Sequence, residues 1–528
     1  MKQIPKHRRT LPAIFLCLFI ICFAFGGEAQ ESAPVKLELT GIDPALARKI
    51  ESYVQEKMIE LHAPGGAVAI VKGDKRIFAG YFGWGDIENK KPINSSTIFR
   101  IGSISKSMTA IGLMQLWEKG EFKLDDDVND YFPRPLIFPP NPEEKPVTFR
   151  HLLTHTSGGG DLLSYKQLFM KGFGIVIKGE TPEPLEQYIR VGMKTRLEPG
   201  DKYIYCNYGY LFLGIAMEEI TGEPFYLYMK ENVFEPLGMN DTAFWRNDDI
   251  RKNIAEGYTY KKGAFEVDPH KTSVMVPSGN VYANLDDMSR YIIALLNGAK
   301  NEYGQVLKPE TLDMMMQTQY GLDKRQEGYG FGFDTHENLW GYRIVGHGGH
   351  VPFGFSSQLL LVPDQKLGVI MLTNSETRAP YEIVWGILKI MLNVEDKQQP
   401  VELPSNAVWS ELIGFYGPEH SAIRANWRLL YYGIGTYRVD VLDGNLVLIY
   451  TWQGKKKARR LLQVNADDPY FYRIEDNKSE IPQFVAFRRG NNGKMYIIPG
   501  GLKEFIKLGA ARRCRARISS VPGRLITK

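Results

Sequence analysis

Cysteine is scarce in this chain. There are four in 528 residues, and two of them, Cys17 and Cys22, fall within the first 29. The remaining two, Cys206 and Cys514, form no C-x-x-C spacing. Neither a disulfide framework nor a cysteine-based zinc site is expected. Beyond Phe25 there is no apolar run long enough to span a bilayer. No Gly-X-Y period occurs, and no self-similarity at a period of roughly 20–50 residues, which excludes collagen-like and repeat-array folds. A dominant charge is missing as well. The net charge is +5, but residues 1–29 contribute +3 and residues 511–528 contribute +6, leaving −4 for residues 30–510. The basic pI therefore belongs to the two ends, and no nucleic-acid motif accompanies it.

Hydrophobic residues make up 44% and charged residues 24%, the balance of a chain with a folded core. At roughly 100–200 residues per domain, the length corresponds to two to four domains. Lys2, Lys6, Arg8 and Arg9 precede an apolar run from Leu11 to Phe25, and small residues Gly26, Gly27 and Ala29 follow. This is the pattern of a secretory signal peptide, residues 1–29, cleaved after Ala29. The expected location is secreted or periplasmic, with no stable membrane span after cleavage.

Apolar residues at four-residue steps predict a helix over Pro44–Leu61. Strands are predicted over Gly66–Lys72 and Lys75–Trp84, then a helix from near Ser103 to Lys119. The stretch from Pro133 to Pro146 reads as a loop. His151–Thr156 reads as a short helix, Tyr208–Thr221 as another ended by Gly222, and Gln358–Val362 and Gly368–Thr373 as strands. After about Pro400 the pattern shifts to short strands, with hairpins at Asp443-Gly444-Asn445 and at Gly490–Gly493. The expected partition is a catalytic unit over 35–400, a β-rich barrel or sandwich over 401–510 and a basic tail over 511–528.

Three short segments carry chemistry. Ser103-Ile104-Ser105-Lys106 is an S-x-x-K, which on a helix sets the lysine amine one turn from the serine hydroxyl. A serine is a poor nucleophile unless a base adjoins it, and a desolvated lysine can serve. Tyr205-Cys206-Asn207 offers a phenol for proton transfer and an amide to hold a substrate carbonyl or the lysine. Tyr282-Ala283-Asn284 repeats that spacing but is read as structural. His347-Gly348-Gly349 puts glycines beside a polar residue on a strand, where a substrate backbone can approach. His151 and His155 have metal-ligand spacing, but no Glu completes an H-E-x-x-H, so no metal is expected.

Taken in order, these segments resemble the serine β-lactamase and penicillin-binding-protein superfamily. The resemblance is nearest to its class C-type branch of D-aminopeptidases, DD-peptidases and esterases, and covers about residues 40–390. Phe99–Lys106, the run His151-Leu152-Leu153-Thr154-His155-Thr156-Ser157-Gly158, Pro236–Met239 and Gly346–Gly349 are all similar to family segments. The resemblance implies an α/β (α+β) fold: an antiparallel sheet flanked by helices, plus a helical subdomain. Leu412–Gly417 is similar to the entry of the lipocalin-like domains of some D-aminopeptidase relatives, implying a small antiparallel β-barrel at the C-terminus. It further implies that Ser103 is the acylated nucleophile and that Lys106 and Tyr205 share the proton transfers. Asn207, His347 and Gly349 would then bind substrate, and the backbone N–H groups of Ser103 and His350 would form the oxyanion hole. No cofactor is implied.

His347 departs from the lysine found in most β-lactamases. A histidine is mostly neutral above about pH 6.5, so recognition of a substrate carboxylate is weakened. The expected function is an exported serine hydrolase acting on D-amino-acid peptides, other peptide-like amides or esters, with at most weak β-lactamase activity. The expected partner is a small molecule or short peptide. The alternative is a non-catalytic sensor of cell-wall peptide or penicillin, against which the intact Ser103, Lys106 and Tyr205 argue.

Overall fold

The computed structural model describes residues 34–160, 176–177, 184–189, 192–268, 272–352, 354–394, 408–418, 436–452, 455–465, 467–476 and 481–508. The expected leader and basic tail lie outside the described residues. A nine-stranded antiparallel sheet forms the centre. Its order is Val35–Leu39, Lys75–Asp86, Gly65–Lys72, Leu367–Thr373, Phe355–Val362, Tyr342–Val351, Asp334–Leu339 and Glu327–Tyr329, with Lys91–Pro92 paired beside Lys75–Asp86.

Strand alternation divides this sheet between two cores. Val68, Ile70, Val369, Met371, Leu360 and Val362 pack on one face with Ile50 and Val54 of the Pro44–Glu60 helix and Ile383 and Ile387 of the Ala379–Leu392 helix. Ala67, Ala69, Ile370, Leu372, Leu359 and Leu361 turn to the other face. There they meet the Leu285–Leu296 helix and a helical layer built on Ser105–Glu118 and Asn207–Thr221. The Ser105–Glu118 helix is buried on nearly every side. It is the centre of the helical layer, and the candidate nucleophile stands at its start.

The C-terminal strands, from Gly414–Gly417 to Phe505–Lys507, close into an eight-stranded barrel. Leu446, Leu448, Tyr472, Val485, Phe487 and Ile497 fill its interior. The barrel docks on the sheet edge through Gln326, whose amide donates to the carbonyls of Phe484 (2.9 Å) and Ile498 (3.0 Å). Arg325 pairs with Asp468 beside it. The architecture expected from the sequence is therefore present, and both predicted hairpins form: Tyr437–Leu442 with Asn445–Trp452, and Gln483–Arg489 with Met495–Pro499.

Two local expectations need correction. The helix read over His151–Thr156 runs from Phe149 to Leu153. Thr148 caps it, and the left-handed backbone of His155 (φ 59°) ends it before the glycines are reached. The Pro133–Pro146 stretch also contains a short strand, Ile137–Phe138, parallel to Met193–Lys194.

Candidate active site

The nucleophile turn is gripped from both sides. Gly102 (φ +54°) opens the 3-10 turn Gly102–Ile104, and the α-helix starts at Ser105. A Cβ on Gly102 would lie 2.7 Å from the backbone nitrogen of His350, so only glycine lets this turn reach the Tyr342–Val351 strand. A Cβ on Gly349 would come within 2.0 Å of the Ile101 carbonyl oxygen and 2.1 Å of Ser357 Oγ. Ser357 Oγ itself donates to Ile101 O (2.8 Å), and Ser105 Oγ donates to Gly102 O (2.6 Å). Ser103 is thus presented against the His350 end of the strand, the place expected for an oxyanion hole made of their two N–H groups.

Lys106 Nζ lies 3.0 Å from Ser103 Oγ, 2.7 Å from Asn207 Oδ1 and 2.7 Å from the Ser278 carbonyl oxygen. The lysine is completely buried. Three acceptors match the three hydrogens of an ammonium, which is how such a group tolerates burial. The Tyr205 ring sits 4.8 Å from Nζ and the Tyr210 ring 5.5 Å. Ser103, Lys106, Tyr205 and Asn207 therefore converge from segments about a hundred residues apart.

His347 is buried behind them. Its Nε2 is 3.2 Å from Tyr329 Oη and its Nδ1 is 2.6 Å from Gly348 O. Its ring centroid is 6.3 Å from that of Tyr205. Burial first, and then the Lys106 charge, push the imidazole pKa down to about 3. The ring is neutral throughout the physiological range. Tyr203 and Tyr329, buried nearby, are held protonated by desolvation. His350 points elsewhere, its Nε2 2.9 Å from Glu376 Oε1.

Sequence reasoning missed several supports. His155 accepts a hydrogen bond from the Cys206 amide on Nδ1 (3.1 Å), and its ring packs 4.2 Å from Tyr205. It positions the whole Tyr205–Asn207 segment. Its signal in the sequence is the similarity of His151–Gly158 to a family segment, which does not by itself assign the histidine a role. His151 does something else again: its Nδ1 closes a capping box with Thr148. Among the described residues, no three His, Cys, Asp or Glu side chains assemble as a metal group. Ser278 acts through its carbonyl, which no side-chain motif announces. The Tyr282–Asn284 decoy pairs with the strand before the nucleophile, and Asn284 caps the Leu285–Leu296 helix. Cys206 is buried, its thiol directed at Gly160 O (3.3 Å).

A serine, a buried lysine and an amide, held under a strand edge on an antiparallel sheet, are the groups that serine acyl transfer uses. The chain belongs to the beta-lactamase family, whose model matches residues 50–389 and whose members are serine hydrolases. It is similar to penicillin-binding protein 4* of Bacillus subtilis, 25% identical over 397 residues, spanning 70% of this chain and 83% of that one. It is also similar to beta-lactamase-like protein 4 of Dictyostelium discoideum, 29% identical over 388 residues, spanning 67% of this chain and 65% of that one. Among solved structures it is similar to the octameric penicillin-binding protein homologue from Pyrococcus abyssi (TM-score 0.58, 26% identity, 87% of this chain and 99% of that one). The fold likewise matches EstCE1, a hydrolase with promiscuous acyltransferase activity (TM-score 0.55, 24% identity, 64% of this chain and 97% of that one).

Proposed function

We propose that this protein is an exported serine hydrolase that cleaves peptide-like amides or esters through an acyl-enzyme on Ser103. The observation that carries the reading is the 3.0 Å contact between Lys106 Nζ and Ser103 Oγ, with Asn207 and Ser278 completing the lysine's partners. In its free-base form Lys106 accepts the Ser103 proton as Oγ bonds to the substrate carbonyl carbon. Tyr205, against the same amine, shares the proton's return to the departing amine or alcohol. Water then repeats the sequence in reverse to release the acid. The N–H groups of Ser103 and His350 hold the oxyanion, a contribution typically worth ~3–4 kcal/mol per donor.

His347 and Gly349 bind substrate in this reading, and Asn207 contacts its amide. The neutral His347 offers no cation to a substrate carboxylate, which favours esters and amides over β-lactams. Residues 35–400 form the catalytic unit and 401–510 an accessory barrel that shapes the mouth of the site. Export rests on the basic and apolar pattern of residues 1–29. Among the described residues, no helix is long and apolar enough to cross a membrane.

The test is labelling with a fluorophosphonate and a fluorescent penicillin, with Ser103→Ala as control, beside turnover of nitrocefin and a short-chain p-nitrophenyl ester. Label that depends on Ser103 and faster ester turnover are expected. Label persisting in the variant overturns the nucleophile. Efficient nitrocefin turnover without ester or peptide hydrolysis overturns the substrate class.

A further inference from the structure

Among the described residues, the Tyr342–Val351 strand is paired from His347 onward only with Phe355–Val362, because its other neighbour, Asp334–Leu339, ends its register at Gly346. The open edge is the one that meets the Ser103 turn at His350. Asp334 stands on the same edge, in register with Gly346, and the backbone N–H of Gly348 favours its ionised form. Gly348 and His350 are two residue steps apart, so the Gly348 amide beside Asp334 sits ~7 Å along the strand from the candidate oxyanion amide. Asp334 and Glu327 both line a cavity of about 1060 Å³ between this edge, the start of the Ala379–Leu392 helix and the mouth of the barrel. Tyr381, Trp385, Tyr437 and Tyr450 give the cavity aromatic walls.

The cavity is built around unmet polar groups. No described Lys or Arg forms an ion pair with Asp334 or Glu327, whereas Arg378, Arg459 and Arg325 on its rim each have an acidic partner. Burial raises both carboxyls above the usual range. The charge of Asp334 raises Glu327 further and that of Lys503 lowers it, while Lys106 draws Asp334 partly back. Gln326 and Trp385, both lining residues and 5% and 3% exposed, leave Oε1 and Nε1 without hydrogen-bond partners. Two carboxyls whose ionised form is disfavoured by burial, facing an aromatic-walled cavity with no cation in ion-pair contact, gain most from a ligand that brings positive charge.

We propose that this cavity is a subsite for a cationic group, a primary ammonium or guanidinium on an apolar stem, held by Asp334 and Glu327 about 7 Å from the scissile carbonyl. The proposal rests on the serine-hydrolase reading and narrows its substrates to those carrying a positive charge at that reach.

The experiment compares p-nitrophenyl esters of 6-aminohexanoic, adipic and heptanoic acids, which end in an ammonium, a carboxylate and a methyl group. They are assayed on the full chain and on Asp334→Asn and Glu327→Gln, with calorimetric titration of hexylamine in parallel. Expected is at least a tenfold kcat/KM preference for the ammonium ester over the carboxylate ester, falling below threefold in each variant that folds. An equal or reversed preference, or one that survives in Glu327→Gln, overturns the subsite. If no ester shows turnover that depends on Ser103, the hydrolase reading fails separately. The titration then decides the subsite: hexylamine binding lost in Glu327→Gln sustains it, and no binding to the unaltered chain overturns it.

Discussion

His347 offers a prediction in which burial sets the magnitude. The ring is 4% exposed, and its pKa is pushed down to about 3. In the unfolded chain it returns to about 6.5. Because the folded pKa is the lower one, the unfolded state takes up the proton first. The cost to stability is small at pH 7, where both states are mostly neutral, and grows as the pH drops through 6.5. At pH 5 the loss is ~2 kcal/mol by proton linkage. Asp334 and Glu327 work in the opposite sense over the same window, since their raised carboxyls take up protons first in the folded state. Their contribution is common to wild type and a His347→Gln variant, and it cancels in the difference between them. A folded body of this size, at ~2 cal/mol/K per residue, has an unfolding entropy on the order of 1 kcal/mol/K. Between pH 7 and pH 5 the wild-type Tm should therefore drop about 2 °C further than that of His347→Gln. Melting followed by circular dichroism at both pH values is the assay. Equal drops in the two proteins, or a larger one in the variant, would refute the claim that His347 is buried neutral.

Asn207→Ala removes the 2.7 Å acceptor from Lys106. A hydrogen bond to a charged group is worth ~1.5–3 kcal/mol, so ester-hydrolysis kcat/KM should fall about 10- to 150-fold. Gly349→Ala drives a methyl group into the Ile101 carbonyl and Ser357 Oγ. It should separate the strand from the nucleophile turn and cost at least ~100-fold in kcat, read in the same assay. Asp287 is buried and accepts from the Asp241 amide (2.8 Å), Thr242 Oγ1 (2.9 Å) and Arg290 Nη1 (2.7 Å). Asp287→Ala strands all three donors and should destabilise the fold by ~3–5 kcal/mol in urea unfolding.

The sequence alone determined what is local. Four-residue apolar spacing located the Pro44–Glu60 helix, and turn residues located both barrel hairpins, because each depends on neighbours within one turn or one hairpin. The S-x-x-K spacing placed Lys106 beside Ser103 for the same reason. Tertiary structure decided the rest. Asn207 reaches Lys106 across the fold, Ser278 contributes only a backbone oxygen, and His155 owes its role to a left-handed backbone that no spacing rule foresees. Asp334 looks like any strand aspartate in sequence. Only the register, which ends at Asp334 and Gly346, sets it beside the open strand edge of the proposed subsite. Charge tells the same story. Composition assigned the excess of positive charge to the two ends of the chain. Folding set the local protonation, by burying a lysine among three acceptors and a histidine without its proton, and by placing two carboxyls with raised pKa beside a cavity. Desolvation depends on what the rest of the chain wraps around a group, so it cannot be read from that group's neighbours in sequence.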